Sequence, residues 1–104
     1  MPFSLDDRTR EDLARLCRKY SVKRLKLFGS AATENFQEQT SDLDLVVEFG
    51  PAPEGIGLAD QYFEFREELT KMFGRPVDLL EEHAIENSVI REAVVASSVV
   101  LYAA

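Results

Sequence analysis

The chain has 104 residues, of which 45% are apolar and 30% charged, and its formal net charge is −7. This length and composition predict one soluble domain over residues 1–104 that can bury a core without covalent staples. No apolar stretch approaches the ~18 residues of a membrane span, and the first residues show no secretory signal. Because Cys17 is the single cysteine, we expect a reducing compartment, the cytoplasm.

The acidic charge also limits the kinds of ligand that the protein can bind. Proteins that bind along a phosphate backbone present clustered lysines and arginines, so we expect no extended nucleic acid as a ligand. A single nucleotide is compatible with the charge, because carboxylates can bind Mg²⁺ and the metal can then bind phosphates.

The first half of the chain predicts one helix and two strands. Apolar residues at helical spacing favour an amphipathic helix over about 9–20, with Thr9 as its N-cap. Over Val22–Phe28 the period changes to two, as in a half-exposed strand. Residues 31–41 suit a short helical turn followed by a loop. Leu43–Phe49 is apolar and β-branched enough for the middle of a sheet.

The second half continues the alternation of helices and strands. Leu58–Phe73 has a strong helical period, and Gly74 follows it as a C-cap. Pro76–Leu80 predicts a short third strand, and Val99–Tyr102 predicts a terminal strand. Between them, residues 82–96 predict a last helix with four apolar residues on one face: Ile85, Val89, Ile90 and Ala93. The sequence therefore predicts an α/β (α+β) fold, a small mixed sheet flanked by helices.

Two aspartates, Asp42 and Asp44, open the second strand. Residues two apart in a strand point to the same side, with Cα atoms roughly 6.5–7 Å apart. Two like charges this close raise each other's pKa unless a cation lies between them, and Mg²⁺ suits such a site. Taken alone, however, such a pair more often lies at the solvated start of a strand. The pair therefore predicts a metal site only together with other features.

Two further features favour a site that binds phosphates. Gly29 and Ser30 follow the first strand where a helix should begin, so backbone N–H groups and a hydroxyl could bind a phosphate, although the turn could also simply cap that helix. Asp78 stands inside an apolar run, where a carboxylate is costly without a partner. If the third strand lies beside the second, three carboxylates surround two metal positions, as in nucleotidyl transfer.

Together, Gly29-Ser30, Asp42-Leu43-Asp44 and the later segment GRPVDLLEE resemble the minimal nucleotidyltransferases (MNT) of the DNA polymerase beta superfamily. Genes of this family commonly lie beside a HEPN-domain partner as toxin–antitoxin pairs. The resemblance implies that Gly29 and Ser30 bind the nucleotide phosphates. It also implies that Asp42 and Asp44 bind two Mg²⁺ ions, and that Asp78 binds the catalytic ion and helps to deprotonate the attacking hydroxyl.

The resemblance further implies a reaction and a partner. An acceptor hydroxyl would attack the α-phosphorus of ATP, diphosphate would leave, and AMP would remain on the acceptor. In the antitoxins of the family the acceptor is a tyrosine of the HEPN toxin, so the implied partner is a HEPN-domain toxin in a hetero-oligomer.

The sequence departs from the family pattern after the Gly-Ser turn. Many relatives carry a basic residue and then Ala-Arg-Gly there, whereas this chain has Ala31–Glu34. The missing arginine leaves an alternative open, in which the same fold has an impaired site and neutralises a toxin by binding alone. A transferase that modifies a small molecule such as an aminoglycoside is less favoured, because it normally needs a second substrate-binding domain.

Several charged residues near these motifs have simpler interpretations. Lys23, Arg24 and Lys26 are expected on a solvated strand face. Arg75, beside the third strand, is the better candidate for a phosphate contact, although an ordinary surface arginine fits equally well. His83 is expected at the surface without a catalytic role.

Overall fold

The computed structural model describes residues 5–28, 43–85, 89, 92 and 98–104. Its regular elements in chain order are helix α1 (Asp7–Lys19), strands β1 (Val22–Phe28) and β2 (Leu43–Phe49), helix α2 (Leu58–Phe73), strand β3 (Val77–Glu81), a 3₁₀ turn (Glu82–Ala84) and strand β4 (Val99–Ala103). This mixed α/β architecture confirms the predicted fold class. Among the residues described, no helix is long and apolar enough to cross a membrane.

The four strands form one mixed sheet with the order β3-β2-β1-β4. β1 is antiparallel to both β2 and β4, and β2 is parallel to β3. β3 begins one residue later than predicted, after Pro76, whose carbonyl accepts a hydrogen bond from the Leu43 N–H at 3.1 Å. The prediction that Leu43–Phe49 is an interior strand is confirmed, because β2 has a neighbour on each side.

Both helices pack against the same face of this sheet. It is the face that carries Leu25, Leu45 and Leu79. Helix α1 contacts β1 and β4, and helix α2 contacts β3. A helix supplies one apolar stripe and a strand one apolar side, so a single core forms between the two layers. Its buried residues are Leu13, Leu16, Cys17, Tyr20, Val22, Leu25, Leu27, Leu43, Leu45, Val47, Phe65, Leu69 and Leu79.

The ends of the two helices follow from their capping residues. The N-cap of α1 is Asp6, so the prediction of Thr9 was wrong: the Asp6 carboxylate accepts a hydrogen bond from the Thr9 N–H at 2.7 Å. Both residue types cap well, and here the extended backbone lies at Asp6. Helix α2 ends as predicted at Gly74, whose φ of 65° is left-handed and whose N–H donates to the Thr70 carbonyl at 2.9 Å.

The start of the predicted last helix was wrong. Glu82–Ala84 forms a 3₁₀ turn and Ile85 is extended, so the α-helix predicted over 82–96 does not begin at 82. Val89 is helical, as predicted, and its side chain is 74% exposed. The turn predicted over 31–41, Ile90 and Ala93 lie outside the described residues.

A buried polar side chain, Gln61, connects three elements and was missed by the sequence analysis. Its amide N–H₂ donates to the Tyr20 carbonyl at 2.7 Å and to the Gly50 carbonyl at 3.3 Å. The helical period of α2 begins at Leu58, which is 77% exposed, whereas Gln61 is buried. Gln61 therefore ties α2 to the residues that follow α1 and β2.

Candidate active site

The structure brings two of the three predicted aspartates together. β2 and β3 are parallel neighbours, and Asp44 lies in register with Asp78. Neighbouring strands are about 4.7–4.9 Å apart, and residues in register point to the same side of the sheet. Asp44 is half-buried and Asp78 is exposed. The condition that the third strand lies beside the second is therefore confirmed.

The alternation of each strand decides which face these carboxylates occupy. Leu43 and Leu45, on either side of Asp44, are buried in the core, and so is Leu79 next to Asp78. Successive strand residues point to opposite faces, so both carboxylates lie on the face away from the helices. We call this surface the carboxylate face.

The strand that carries Asp78 is fixed from the helix side. Among the strands that the structure describes, β3 lies at the edge of the sheet, and the Tyr62 hydroxyl of α2 donates a 2.6 Å hydrogen bond to the Leu79 carbonyl. An edge strand is held by a strand on one side alone, and this bond adds a contact from the helix layer. Tyr62 thus has a role in positioning β3 that the helical period of α2 did not reveal.

The other predicted site residues, Gly29, Ser30 and Asp42, lie outside the described residues. Their roles as phosphate and metal ligands stay predictions. The last described residue before them is Phe28, which pairs with Asp44 across the antiparallel ladder. β1 therefore ends beside the aspartate pair.

The chemistry of the two neighbouring carboxylates fits a divalent cation. Carboxylate oxygens are ligands that Mg²⁺ prefers, and it is commonly bound by one or two carboxylates together with substrate phosphates and water. Within residues 5–28, 43–85, 89, 92 and 98–104, no group of three or more His, Cys, Asp and Glu side chains is arranged to hold a metal. Asp44 and Asp78 are the predicted ligands in that part of the chain.

One basic residue of the carboxylate face contradicts its prediction. Lys23 and Arg24 are exposed as expected, but Lys26 is only 8% exposed. It pairs across the ladder with Val46, which is buried. A lysine stem is apolar enough to be buried beside valine while its ammonium reaches water, which explains why alternation alone did not reveal this burial.

The two other charged residues singled out from the sequence flank β3. Arg75 is half-buried and lies between Gly74 and the start of the strand, and its predicted phosphate contact stays a prediction. His83 is exposed in the 3₁₀ turn, as expected.

A cavity of about 460 Å³ lies near the far end of β2, and its walls include Arg24, Glu48, Phe49, Glu82 and His83. Glu48 is four residues beyond Asp44, so the cavity begins about 13 Å along the strand from the aspartate pair. Arg24 already pairs with Glu48 at 3.7 Å. The cavity therefore offers little free positive charge to a phosphate.

Comparison with known proteins identifies the family. Residues 10–101 match the model of the nucleotidyltransferase domain. The chain belongs to the nucleotidyltransferase domain family. This result confirms the resemblance that the Gly-Ser turn and the three aspartates indicated, and it agrees with the position of Asp44 and Asp78 on adjacent strands.

Sequence relatives of this nucleotidyltransferase include two proteins of Methanocaldococcus jannaschii that are named as protein adenylyltransferases. One is 37% identical over 76 residues, which cover 73% of this chain and 72% of the relative. The second is 40% identical over 80 residues, which cover 73% of this chain and 81% of the relative.

Solved structures share the fold of this nucleotidyltransferase. A minimal nucleotidyltransferase superposes with a TM-score of 0.68 at 30% identity, and the match covers 86% of each chain. The complex of a tri-AMPylated HEPN toxin with its MNT antitoxin from Shewanella oneidensis gives a TM-score of 0.60 at 19% identity, covering 96% of this chain and 74% of the other. A toxin–antitoxin complex with AMP-PNP gives 0.63 at 20% identity, with coverages of 91% and 73%.

Proposed function

We propose that this nucleotidyltransferase transfers AMP from ATP to a hydroxyl of a partner protein, with Mg²⁺ as cofactor. The observation that carries the proposal is the in-register pair of Asp44 and Asp78 on the carboxylate face. Two carboxylates on adjacent strands suit a site that binds metal and phosphate together. The names of the sequence relatives support a protein as the acceptor.

We further propose that the partner is a HEPN-domain toxin and that this protein is its antitoxin, working in the cytoplasm. Support comes from the fold shared with an MNT antitoxin whose complex contains a tri-AMPylated HEPN toxin. The acceptor group is a tyrosine hydroxyl, as the family resemblance implies.

The proposed mechanism needs few protein groups, because metal binding and positioning supply most of the catalysis in such transfers. Asp44 and Asp78, with Asp42 as the third ligand, would hold Mg²⁺, which when bound neutralises phosphate charge and favours the deprotonated acceptor hydroxyl. Gly29 and Ser30 bind the phosphates through backbone N–H groups and the hydroxyl.

The transfer itself exchanges one phosphorus–oxygen bond for another. The acceptor oxygen attacks the α-phosphorus, and a new O–P bond forms while the bond from the α-phosphorus to the bridging oxygen breaks. Diphosphate leaves with the electron pair of that bond. The hydroxyl proton passes to the carboxylate of Asp78, which is exposed and can return it to water.

The proposal is tested by intact-mass spectrometry of both chains after incubation with Mg²⁺, ATP and the protein encoded by the adjacent gene. We expect the partner to gain the mass of one or more AMP groups. Asp44→Asn should slow this gain by about 10²–10³-fold or more, because a ligand of the metal that stabilises transition-state charge is lost. Glu48→Gln is a matched control, since Glu48 lies on the same face of the same strand but pairs with Arg24. Its rate should stay close to that of the wild type.

One observation favours the alternative function, neutralisation of the toxin by binding alone. The sequence from 27 to 65, which contains the Gly-Ser turn and two of the aspartates, has no Lys, Arg or His. A site that must hold a triphosphate needs positive charge in addition to the metal. A stable complex with the partner, without any mass gain on either chain, would support this alternative and contradict the transferase.

A further inference from the structure

Lys26 is the one buried charged side chain of the described residues. In the part of the chain that the structure describes, its ammonium makes no hydrogen bond or ion pair. Every fully buried side-chain nitrogen and oxygen there has a hydrogen-bond partner. The unpaired ammonium must therefore reach the surface while its stem stays covered.

This arrangement is unusual for a strand residue that serves only the fold. Lysine is depleted in strands, and the position beside Val46 would suit an apolar or β-branched side chain. A cation in place of a side chain better suited to the strand is a candidate for a functional contact.

Lys26 lies close to the aspartate pair. Phe28 is the cross-strand partner of Asp44, and Lys26 is two residues before Phe28 on the same side of β1. The diagonal neighbours of an antiparallel pair have Cα atoms about 7–8 Å apart, a distance that long side chains can span. Lys26 therefore lies on the carboxylate face, in the Lys26–Val46 pair, which on that face is next to the Phe28–Asp44 pair.

We propose that the Lys26 ammonium binds the phosphate chain of the nucleotide substrate. This inference rests on the proposed function, because it takes a nucleoside triphosphate as the ligand. The sequence from 27 to 65 has no basic residue, and Arg24, the other cation of β1 on this face, already pairs with Glu48. An ammonium without an ion pair is free to bind a polyanion, and such charge-assisted hydrogen bonds are strong.

The experiment is calorimetric titration of the wild type and of Lys26→Met with two probes, both with Mg²⁺. One is the α,β-methylene analogue of ATP, which cannot be cleaved at the reacting bond, and the other is inorganic tripolyphosphate. Methionine keeps an unbranched apolar stem without the charge. We expect the affinity for both probes to fall by about 10- to 100-fold, the range of a lost charge-assisted hydrogen bond.

Lys23→Met is the matched control, because Lys23 is an exposed lysine of the same strand. Lys23→Met loses the same charge, and we expect its affinity for both probes to stay within about twofold of the wild type. That result would show that Lys26 acts by direct contact and not through the overall field of the protein. Thermal unfolding of Lys26→Met should show a midpoint equal to or above that of the wild type, since methionine keeps the covered apolar stem and no ion pair or hydrogen bond of the ammonium is lost.

Three results would overturn the inference: unchanged affinity of Lys26→Met for both probes, a loss confined to the nucleotide analogue, or an equal loss in Lys23→Met. The proposed function fails separately. A wild type that binds the nucleotide analogue but never modifies its partner contradicts protein adenylylation alone, whereas a wild type that binds neither probe contradicts both proposals.

Discussion

The two faces of the sheet are built by the same strands but serve different purposes. On the helix side, Leu25, Leu45 and Leu79 are buried in the core. On the other side, one residue earlier in each of two strands, lie Asp44 and Asp78. Because a strand alternates between its faces, moving by one residue changes which property of the protein a substitution affects. Stability should depend on one face and activity on the other.

The largest difference in the free energy of unfolding is expected between the variants Leu45→Ala and Asp44→Ala. Leu45→Ala leaves a cavity in the core and should lower the free energy of unfolding by about 2–5 kcal/mol. Asp44→Ala removes a half-buried carboxylate that lies beside another, so the free energy of unfolding should change by less than about 1 kcal/mol. Urea denaturation measures both values.

Activity should show the reverse order at a temperature where both variants are folded. Leu45→Ala should keep most of the transfer rate, and Asp44→Ala should lose it. Comparable losses of stability in the two variants would show that the faces are not separated in this way.

A smaller effect is expected where the helix side supports the carboxylate side. Tyr62→Phe removes the hydrogen bond to the Leu79 carbonyl and should cost about 0.5–1.5 kcal/mol in the free energy of unfolding. The transfer rate should also fall several-fold, since the edge strand that carries Asp78 is held less firmly. Thermal unfolding and the initial rate of mass gain measure the two effects.

Tyr20→Phe is the control for this prediction. It removes a longer hydroxyl bond, 3.4 Å to Glu64, at a position away from β3. Its transfer rate should match that of the wild type, and a loss equal to that of Tyr62→Phe would argue against a specific role of β3.

The smallest effect concerns a position away from the sheet, the N-cap of α1. The Thr9 backbone N–H lowers the pKa of the Asp6 carboxyl, with a smaller contribution from the Thr9 side chain. A lowered pKa in the folded state gives stability that is present above the unfolded pKa of ~3.9 and is lost as the pH falls through the folded value.

Asp6→Ala should therefore lower the thermal midpoint slightly at pH 7. Near the folded pKa of Asp6, where the carboxylate becomes protonated, the midpoints of wild type and variant should converge. Asp6→Asn can still cap the helix and should lose less at pH 7. Neither variant should change the transfer rate. A difference between wild type and Asp6→Ala that grows toward acid pH would contradict the assignment of the cap.

The sequence predicted the parts of the fold that depend on local patterns. The strands Val22–Phe28 and Leu43–Phe49 and the helix Leu58–Phe73 have the bounds expected from period and from Gly74. The predicted start of the last helix was wrong, because an apolar period does not distinguish a 3₁₀ turn followed by extended backbone from the first turn of a helix.

The remaining errors concern long-range packing. The polar amide of Gln61 is buried because carbonyls from two other segments accept its hydrogen bonds, and a helical period contains no such information. Lys26 was expected in solvent because basic and apolar residues alternate along β1. That Asp44 and Asp78 lie side by side depends on the strand order, which the sequence alone did not predict.

The most direct test is to measure where the metal binds. It shows which face of the sheet holds the metal, and at which end of the carboxylate face. Mn²⁺ in place of Mg²⁺, added with the methylene analogue of ATP to ¹⁵N-labelled protein, broadens the signals of nearby backbone amides. We predict that the amides of residues 43–45 and 77–79 broaden first, that those of Leu13 and Cys17 on α1 are spared, and that Asp78→Asn weakens the effect. Broadening that begins at Glu82 and His83, or that Asp78→Asn leaves unchanged, would contradict the aspartate pair as the metal site.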